Sequence, residues 1–270
     1  MYWFNTIQTF LIGICIGSFL NVVFYRLPKD ISLIKLRSFC PKCKNKISWR
    51  ENIPLISWII QKGKCLNCSE RISIRYPIIE LSTGLLFIIF REASPDLYSS
   101  INNNYPENLF SWFFISLLLI VTLIDIKHFW IPQIFIKLGF FVGIINLISI
   151  NLAHSFEHLN LLIACFIASL ASYLLFEFIR VSAKYYFKKD ALGKGDSKLV
   201  SMMALWLGPM GILISLGITY IFAAFCLLTA IQFKIIERKQ IIPFAPFLSF
   251  GGMVVWFFGN QSLVENLFRY

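Results

Sequence analysis

Asp125 and Asp196 are the residues whose placement most suggests chemistry. Asp125 closes a 16-residue apolar run, Leu109 to Ile124, which as a helix is about 24 Å long at 1.5 Å per residue. Asp196 opens another apolar run, directly after Gly193-Lys194-Gly195. If both runs cross a bilayer, the two carboxylates, 71 positions apart in sequence, reach one boundary at the same depth. A carboxylate at the bilayer centre costs roughly 2.5–3.5 kcal/mol on insertion scales, so acids in such runs need a reason. Two that face each other at about 3 Å hold one proton between them, because like charges that close cannot both ionise. The ionised member then takes a proton from a water that attacks a peptide carbonyl, and the protonated member polarises the carbonyl oxygen. Gly193 and Gly195 would let an extended peptide backbone approach closely. The plainer reading is that each aspartate ends its helix at the interface, where a first-turn acid such as Asp196 is favoured.

Four cysteines offer a second kind of chemistry. Cys40-Pro-Lys-Cys43 and Cys65-Leu-Asn-Cys68 are C-x-x-C pairs with 21 residues between them. Two such knuckles can bring four thiolates into a tetrahedron at about 2.3 Å from Zn²⁺. The gap slightly exceeds the usual ribbon spacing. Disulfides are disfavoured in a reducing compartment, and no βαβ pattern accompanies the pairs to suggest a redox site. A structural zinc is the expectation, stapling a loop too small to hold itself together. Cys15, Cys165 and Cys226 lie in apolar runs, where cysteine acts as a small hydrophobe.

The elements that must position these groups are membrane helices. Of 270 residues 57% are hydrophobic and only 14% charged, with 28 Phe, and the mean hydropathy is +0.71. A soluble domain carries about 25% charged residues, so a soluble globule, a disordered chain and a coiled coil are all excluded. Apolar spans run at about 5–25, 77–91, 109–125, 132–150, 159–179, 196–208, 211–232 and 245–260. The sixth and eighth are short and broken by Gly and Pro. The expected fold is an all-α polytopic membrane protein with about eight transmembrane helices. Its expected parts are a first transmembrane helix (1–25), a cytosolic four-cysteine insert (26–76) and a seven-helix membrane core (77–270).

Charge fixes the expected orientation. With these spans, 23 of the 25 Lys and Arg fall on one face, twelve of them in the insert, and the positive-inside rule makes that face cytosolic. The active boundary is then cytosolic, the membrane is the plasma membrane, and the amino terminus lies outside. Met1–Asn5 lacks the charged region of a secretory signal and no small-residue cleavage site follows, so the first span is expected to be retained. The net charge of +11 reads as topology and attraction to anionic lipid headgroups, not as nucleic-acid binding.

Other features carry less. Glu80 follows Arg75-Tyr76-Pro77 and could meet a cation or help position a substrate; Glu177 stands beside Arg180. His154-Ser155-Phe156-Glu157-His158 matches H-x-x-E-H, but it sits in a short external loop, with Glu237 as a distant third ligand on the other face. Gly193 to Lys198 lacks the spacing of a phosphate loop. Pro243 and Pro246 open the last span, as proline does in a first helical turn, and would also suit the lining of a substrate groove. A rival reading is a membrane transporter or assembly factor with a zinc knuckle, but a transport path needs acids near the midplane.

Taken in order, the motifs resemble those of the type IV prepilin leader peptidases, intramembrane aspartic proteases of the G-x-G-D type. The opening Gly17-Ser18-Phe19-Leu20-Asn21-Val22-Val23 with Tyr25-Arg26-Leu27-Pro28 is similar to that family's first motif. The paired C-x-x-C insert, Arg75-Tyr76-Pro77, Glu80-Leu81-Ser82-Thr83-Gly84, Ile124-Asp125 with Ile131-Pro132, Gly193-Lys194-Gly195-Asp196 and Pro243-Phe244-Ala245-Pro246-Phe247-Leu248 follow. The resemblance implies that Asp125 and Asp196 are catalytic. It places Gly193, Lys194, Gly195, Glu80, Pro243 and Pro246 around the substrate, and Cys40, Cys43, Cys65 and Cys68 on a metal. It implies cleavage of prepilins or pseudopilins after a glycine, on the cytosolic side. It further implies N-methylation of the new terminus with S-adenosylmethionine. Two positions depart from the pattern: Lys194 stands where a small or apolar residue is commoner, and Ser197 where valine is frequent.

Overall fold

The computed structural model describes residues 2–33, 37–91, 107–153, 159–188, 193–235 and 242–259. The helices are α1 (Tyr2–Arg26), α2 (Ile56–Ile60), α3 (Arg75–Arg91), α4 (Glu107–His128), α5 (Gln133–Ala153), α6 (Leu159–Phe187), α7 (Lys194–Gln232) and α8 (Ala245–Phe258). The only strand pairing among the described residues is two isolated bridges. The chain is all-α and crosses the membrane several times. Five stretches are long and apolar enough to span: Asn5–Lys29, Leu109–His128, Gln133–Leu152, Leu159–Tyr186 and Lys194–Gln232; Ala245–Phe258 is apolar but shorter. Two compact units divide it, Met1–Glu92 and Ala93–Tyr270.

The eight apolar runs of the sequence fall on seven of these helices, because the sixth and seventh runs join in α7. That helix is 39 residues long, about 58 Å at 1.5 Å per residue, nearly twice a hydrocarbon core of about 30 Å. Its continuity is interrupted at Gly208 (φ 71°, ψ 178°), with Pro209 next. That backbone region is essentially closed to any residue with a side chain. Gly208 therefore carries the change that lets one helix serve as two segments.

In the first unit α1 packs against α3 through small residues. A Cβ at Gly13 would lie 2.7 Å from the Gly84 Cα, and one at Gly17 2.7 Å from the Glu80 Cα. Gly13 and Gly17 are four apart, so they share a helix face. Close backbone approach of this kind is what associates helices in lipid, where burying apolar surface gains nothing. Asn21 fixes the register by donating from Nδ2 to the Tyr76 carbonyl at 3.1 Å. At the far end Arg91 donates to Thr6 Oγ1 at 3.1 Å. The buried Arg26 donates to the carbonyls of Ser32 and Arg37 at 3.1 and 3.0 Å and so orders the start of the insert.

In the second unit the first part of α7, up to Leu207, is buried on nearly every side, which is the mark of a helix enclosed by others. Trp206 is its anchor. It stacks on Phe114 of α4 with ring centroids 4.8 Å apart, meets Trp256 of α8 at 5.7 Å, and donates to the Gly139 carbonyl of α5 at 2.9 Å. Ser169 of α6 and Ser201 of α7 exchange hydroxyl-to-carbonyl hydrogen bonds at 2.9 and 2.8 Å. The segment that begins with Asp196 is thus held by four helices.

Candidate active site and metal centre

Asp125 lies in the last turn of α4 and Asp196 is the third residue of α7. Both side chains are buried, at 6% and 8% exposure, and the chain that follows α4 meets α7 beside Asp196, where a Cβ on Gly195 would lie 2.9 Å from the Ile131 Cβ. Each is held by the N-terminus of a helix. The Ala245 N–H, which opens α8, donates to Asp125 Oδ2 at 3.1 Å. The Gly193 N–H, at the cap of α7, donates to Asp196 Oδ2 at 3.1 Å. The first N–H groups of a helix have no partner within it, so two otherwise unused donors orient the two acids. The Asp196 contact is the returning half of a capping box, in which a third-position acid reaches back to the cap.

The residues around the pair have separate duties. Gly193 is exposed and extended (φ −72°, ψ 143°). Gly195 is pressed on its own chain: a Cβ there would meet the Ile131 Cβ at 2.9 Å. On its Cβ side Gly195 is closed by Ile131. Lys194 points to the exterior. Pro243 and Pro246 flank Ala245, half-buried, at the start of α8.

The sequence alone did not reveal three of these contacts. The Ala245 donor depends on where α8 begins. The Ile131 contact depends on how the turn after α4 folds back. The third contact lies on α6: Glu177, whose two carboxylate oxygens take Nε and Nη2 of Arg180, accepts from the buried Ser197 Oγ at 3.4 Å. This brace touches α7 one residue after Asp196.

Glu80 belongs to the first unit. Its buried carboxylate accepts the Leu55 N–H at 2.7 Å, and Ser18 is a second partner. Leu55 has φ 60°, unusual for a branched residue, and Glu80 secures it there. The motif His154 to His158 and the distant Glu237 lie outside the described residues.

The four insert cysteines come together, their sulfur atoms all within 4.8 Å of one another. The two knuckles repeat one backbone plan. Cys40 N–H donates to Asn45 and Lys44 N–H to Cys40; 25 positions on, Cys65 N–H donates to Glu70 and Ser69 N–H to Cys65, all at 2.9–3.0 Å. Lys44 and Ser69 share the left-handed conformation (φ 58° and 57°), and the bridges Phe39–Lys46 and Lys64–Arg71 close the turns. The first turn aims its amides at the Cys40 thiol. Burial raises the Cys40 pKa, but the backbone N–H groups of Cys43 and Lys42 help draw it down to about 7. Backbone contact with Glu70 lowers the Cys68 thiol, yet its burial and the neighbouring thiols push it up to about 11. Four soft donors so close fit a thiophilic divalent ion, whose charge would compensate the crowded thiolates.

Residues 11–92 match the bacterial peptidase A24 N-terminal domain, and residues 112–229 match the type IV leader peptidase family. A type 4 prepilin-like proteins leader peptide-processing enzyme of Escherichia coli is 31% identical over 261 residues, 89% of each chain. A prepilin leader peptidase/N-methyltransferase of Legionella pneumophila is 29% identical over 286 residues, 97% of this chain and 94% of that one. Another of that name, from Myxococcus xanthus, is 33% identical over 208 residues, covering 76% of this chain and 58% of the relative. No solved structure matches. The chain belongs to the type IV leader peptidase family.

Proposed function

We propose that the chain cuts the leader from type IV prepilin-like precursors, with Asp125 and Asp196 as the catalytic pair. The observation that carries this reading is two buried carboxylates, distant in sequence, each seated on a helix N-terminus. The pair shares one proton. The ionised aspartate takes a proton from water as its oxygen attacks the scissile carbonyl; the protonated one hydrogen-bonds to the carbonyl oxygen. When the tetrahedral intermediate collapses, the leaving amine takes a proton from the pair. The backbone N–H groups of Gly193 and Ala245 hold the carboxylates in place, so little reorganisation accompanies the charge movement. Gly193 and Lys194, which lead into Asp196, and Pro243 and Pro246, which flank the Ala245 donor, would contact the substrate backbone. Glu80 would act through the insert that it secures.

The positive-inside distribution supports an active boundary on the cytosolic side of the bacterial plasma membrane, with the amino terminus outside. A precursor anchored by its own apolar helix presents its leader there. Curated relatives are named as N-methyltransferases as well, so we extend methylation of the new terminus to this chain, S-adenosylmethionine supplying the methyl group. The insert would hold zinc on Cys40, Cys43, Cys65 and Cys68. A four-thiolate ion has no open position, so its part is structural.

The test is cleavage of a membrane-inserted precursor by the Asp125→Asn and Asp196→Asn variants. Each should lose at least about 10³-fold in turnover, with the folded helical signal kept. Processing retained in either variant would overturn the assignment.

A further inference from the structure

The insert displays an apolar face that its own fold leaves open. Helix α2 is turned by Trp58, whose Nε1 donates to the Ile72 carbonyl at 3.2 Å and whose ring covers Gly63. With Trp58 inward, Ile56, Ile59 and Ile60 are 53%, 67% and 74% exposed. Their spacing of three and four puts them on one face. Beside them the turn Arg50–Asn52 is tied to the end of α2 by Gln61, which donates to the Glu51 carbonyl at 3.3 Å. That turn carries Trp49 outward, 73% exposed, with the Arg50 guanidinium 5.2 Å from its ring centre.

Three observations bear on what covers this face. First, the insert leaves and re-enters at one end of a helix pair: Asn21 of α1 bonds to Tyr76, and Arg75 at the start of α3 lies 4.1 Å over Phe24. A loop tethered so closely at both ends to a membrane helix stays near the bilayer surface. Second, residues 26–76 contain twelve Lys and Arg against Asp30, Glu51 and Glu70; even four thiolates with a divalent ion leave a strong positive excess. Arg50, Lys62 and Lys64, next to the isoleucines in sequence, are exposed. Third, isoleucines and a tryptophan flanked by cations are the composition of segments that lie in the interface of anionic bilayers.

We propose that the Trp49–Ile60 face of the insert rests in the headgroup boundary of an anionic bilayer. Ile56, Ile59, Ile60 and Trp49 enter the acyl edge, and Arg50, Lys62 and Lys64 meet lipid phosphates. The surface then fixes the insert against the membrane as well as the metal fixes it internally.

The experiment uses the full chain in vesicles of phosphatidylcholine and phosphatidylglycerol. The difference in emission between the parent and Trp49→Phe isolates Trp49. Lipids brominated near the headgroup end of the acyl chain should quench that component to about half or less. The quenching should weaken severalfold in phosphatidylcholine alone. Retention of the metal by each preparation shows that the insert is folded. Ile59→Ser/Ile60→Ser should reduce the quenching with metal still bound. Trp49 emission that brominated lipid leaves unchanged, quenching that phosphatidylglycerol does not strengthen, or protection of this face only after a precursor is added would each overturn the proposal.

Discussion

Gly195 shows how a single missing methyl can govern the packing beside a buried carboxylate. Its Cα faces Ile131 with no room for a Cβ at 2.9 Å, and the nearest atom is another Cβ, which cannot swing aside. At Gly193 the corresponding atom would be the Asp196 carboxylate oxygen at 3.0 Å, and the backbone is ordinary extended chain. The two glycines of the motif therefore differ in what an added methyl costs. Gly195→Ala should destabilise the second unit by about 1–3 kcal/mol through overpacking and shift Asp196 with it. Gly193→Ala should leave stability nearly unchanged and disturb only the carboxylate. Adding Ile131→Ala to Gly195→Ala should restore part of the loss, a coupling that a double-mutant cycle on unfolding and turnover would measure. Equal costs at the two glycines, or no rescue, would contradict this geometry.

At the scale of elements, the places of the two aspartates at helix ends were legible because each stands beside a long apolar run that no soluble protein would carry. Their holders were not. The Ala245 amide is an unremarkable group in the sequence, and it becomes a donor only because α8 starts there and is brought against the end of α4. The knuckle repeat was equally hidden. Cys40-Pro-Lys-Cys43 and Cys65-Leu-Asn-Cys68 share only their cysteines, since the common feature is a set of backbone hydrogen bonds that side-chain identity does not record. The sixth and seventh apolar runs were separable by Gly208-Pro209, but not the fact that helical backbone resumes at once on either side. That junction makes a specific prediction. Gly208→Ala places a Cβ at φ 71° and ψ 178°, a strain on the order of 1–3 kcal/mol. Among the described residues that Cβ would meet only Cys165 Sγ, at 3.6 Å, an ordinary contact. The loss should thus be conformational, unaltered by Cys165→Ala, and readable as a lower thermal midpoint in detergent.

At the scale of the whole molecule, the chain combines two units whose cohesion has different sources. The second unit is centred on Trp206, enclosed by aromatic rings and by the glycine faces of its neighbours. The first has a helix pair closed by glycines, and an insert with little core of its own. Cys40 and the glycine under Trp58 are the only buried positions among the described residues 37–74. So small a body cannot offset the entropy of ordering about 40 residues by apolar burial alone. The exposed Lys42–Glu70 ion pair between the knuckles adds little. A metal on the four cysteines would supply the difference, because binding that occurs only in the folded state is itself folding free energy. The full chain should therefore carry about one zinc. A strong chelator should release it and speed hydrogen exchange at the paired turns of residues 39–46 and 64–71, while the amides around Trp206 keep their protection. Cys40→Ser or Cys68→Ser should do the same without chelator. Full stoichiometric metal in those variants, or chelated protein whose knuckle amides stay protected, would mean that something other than four thiolates holds the insert together.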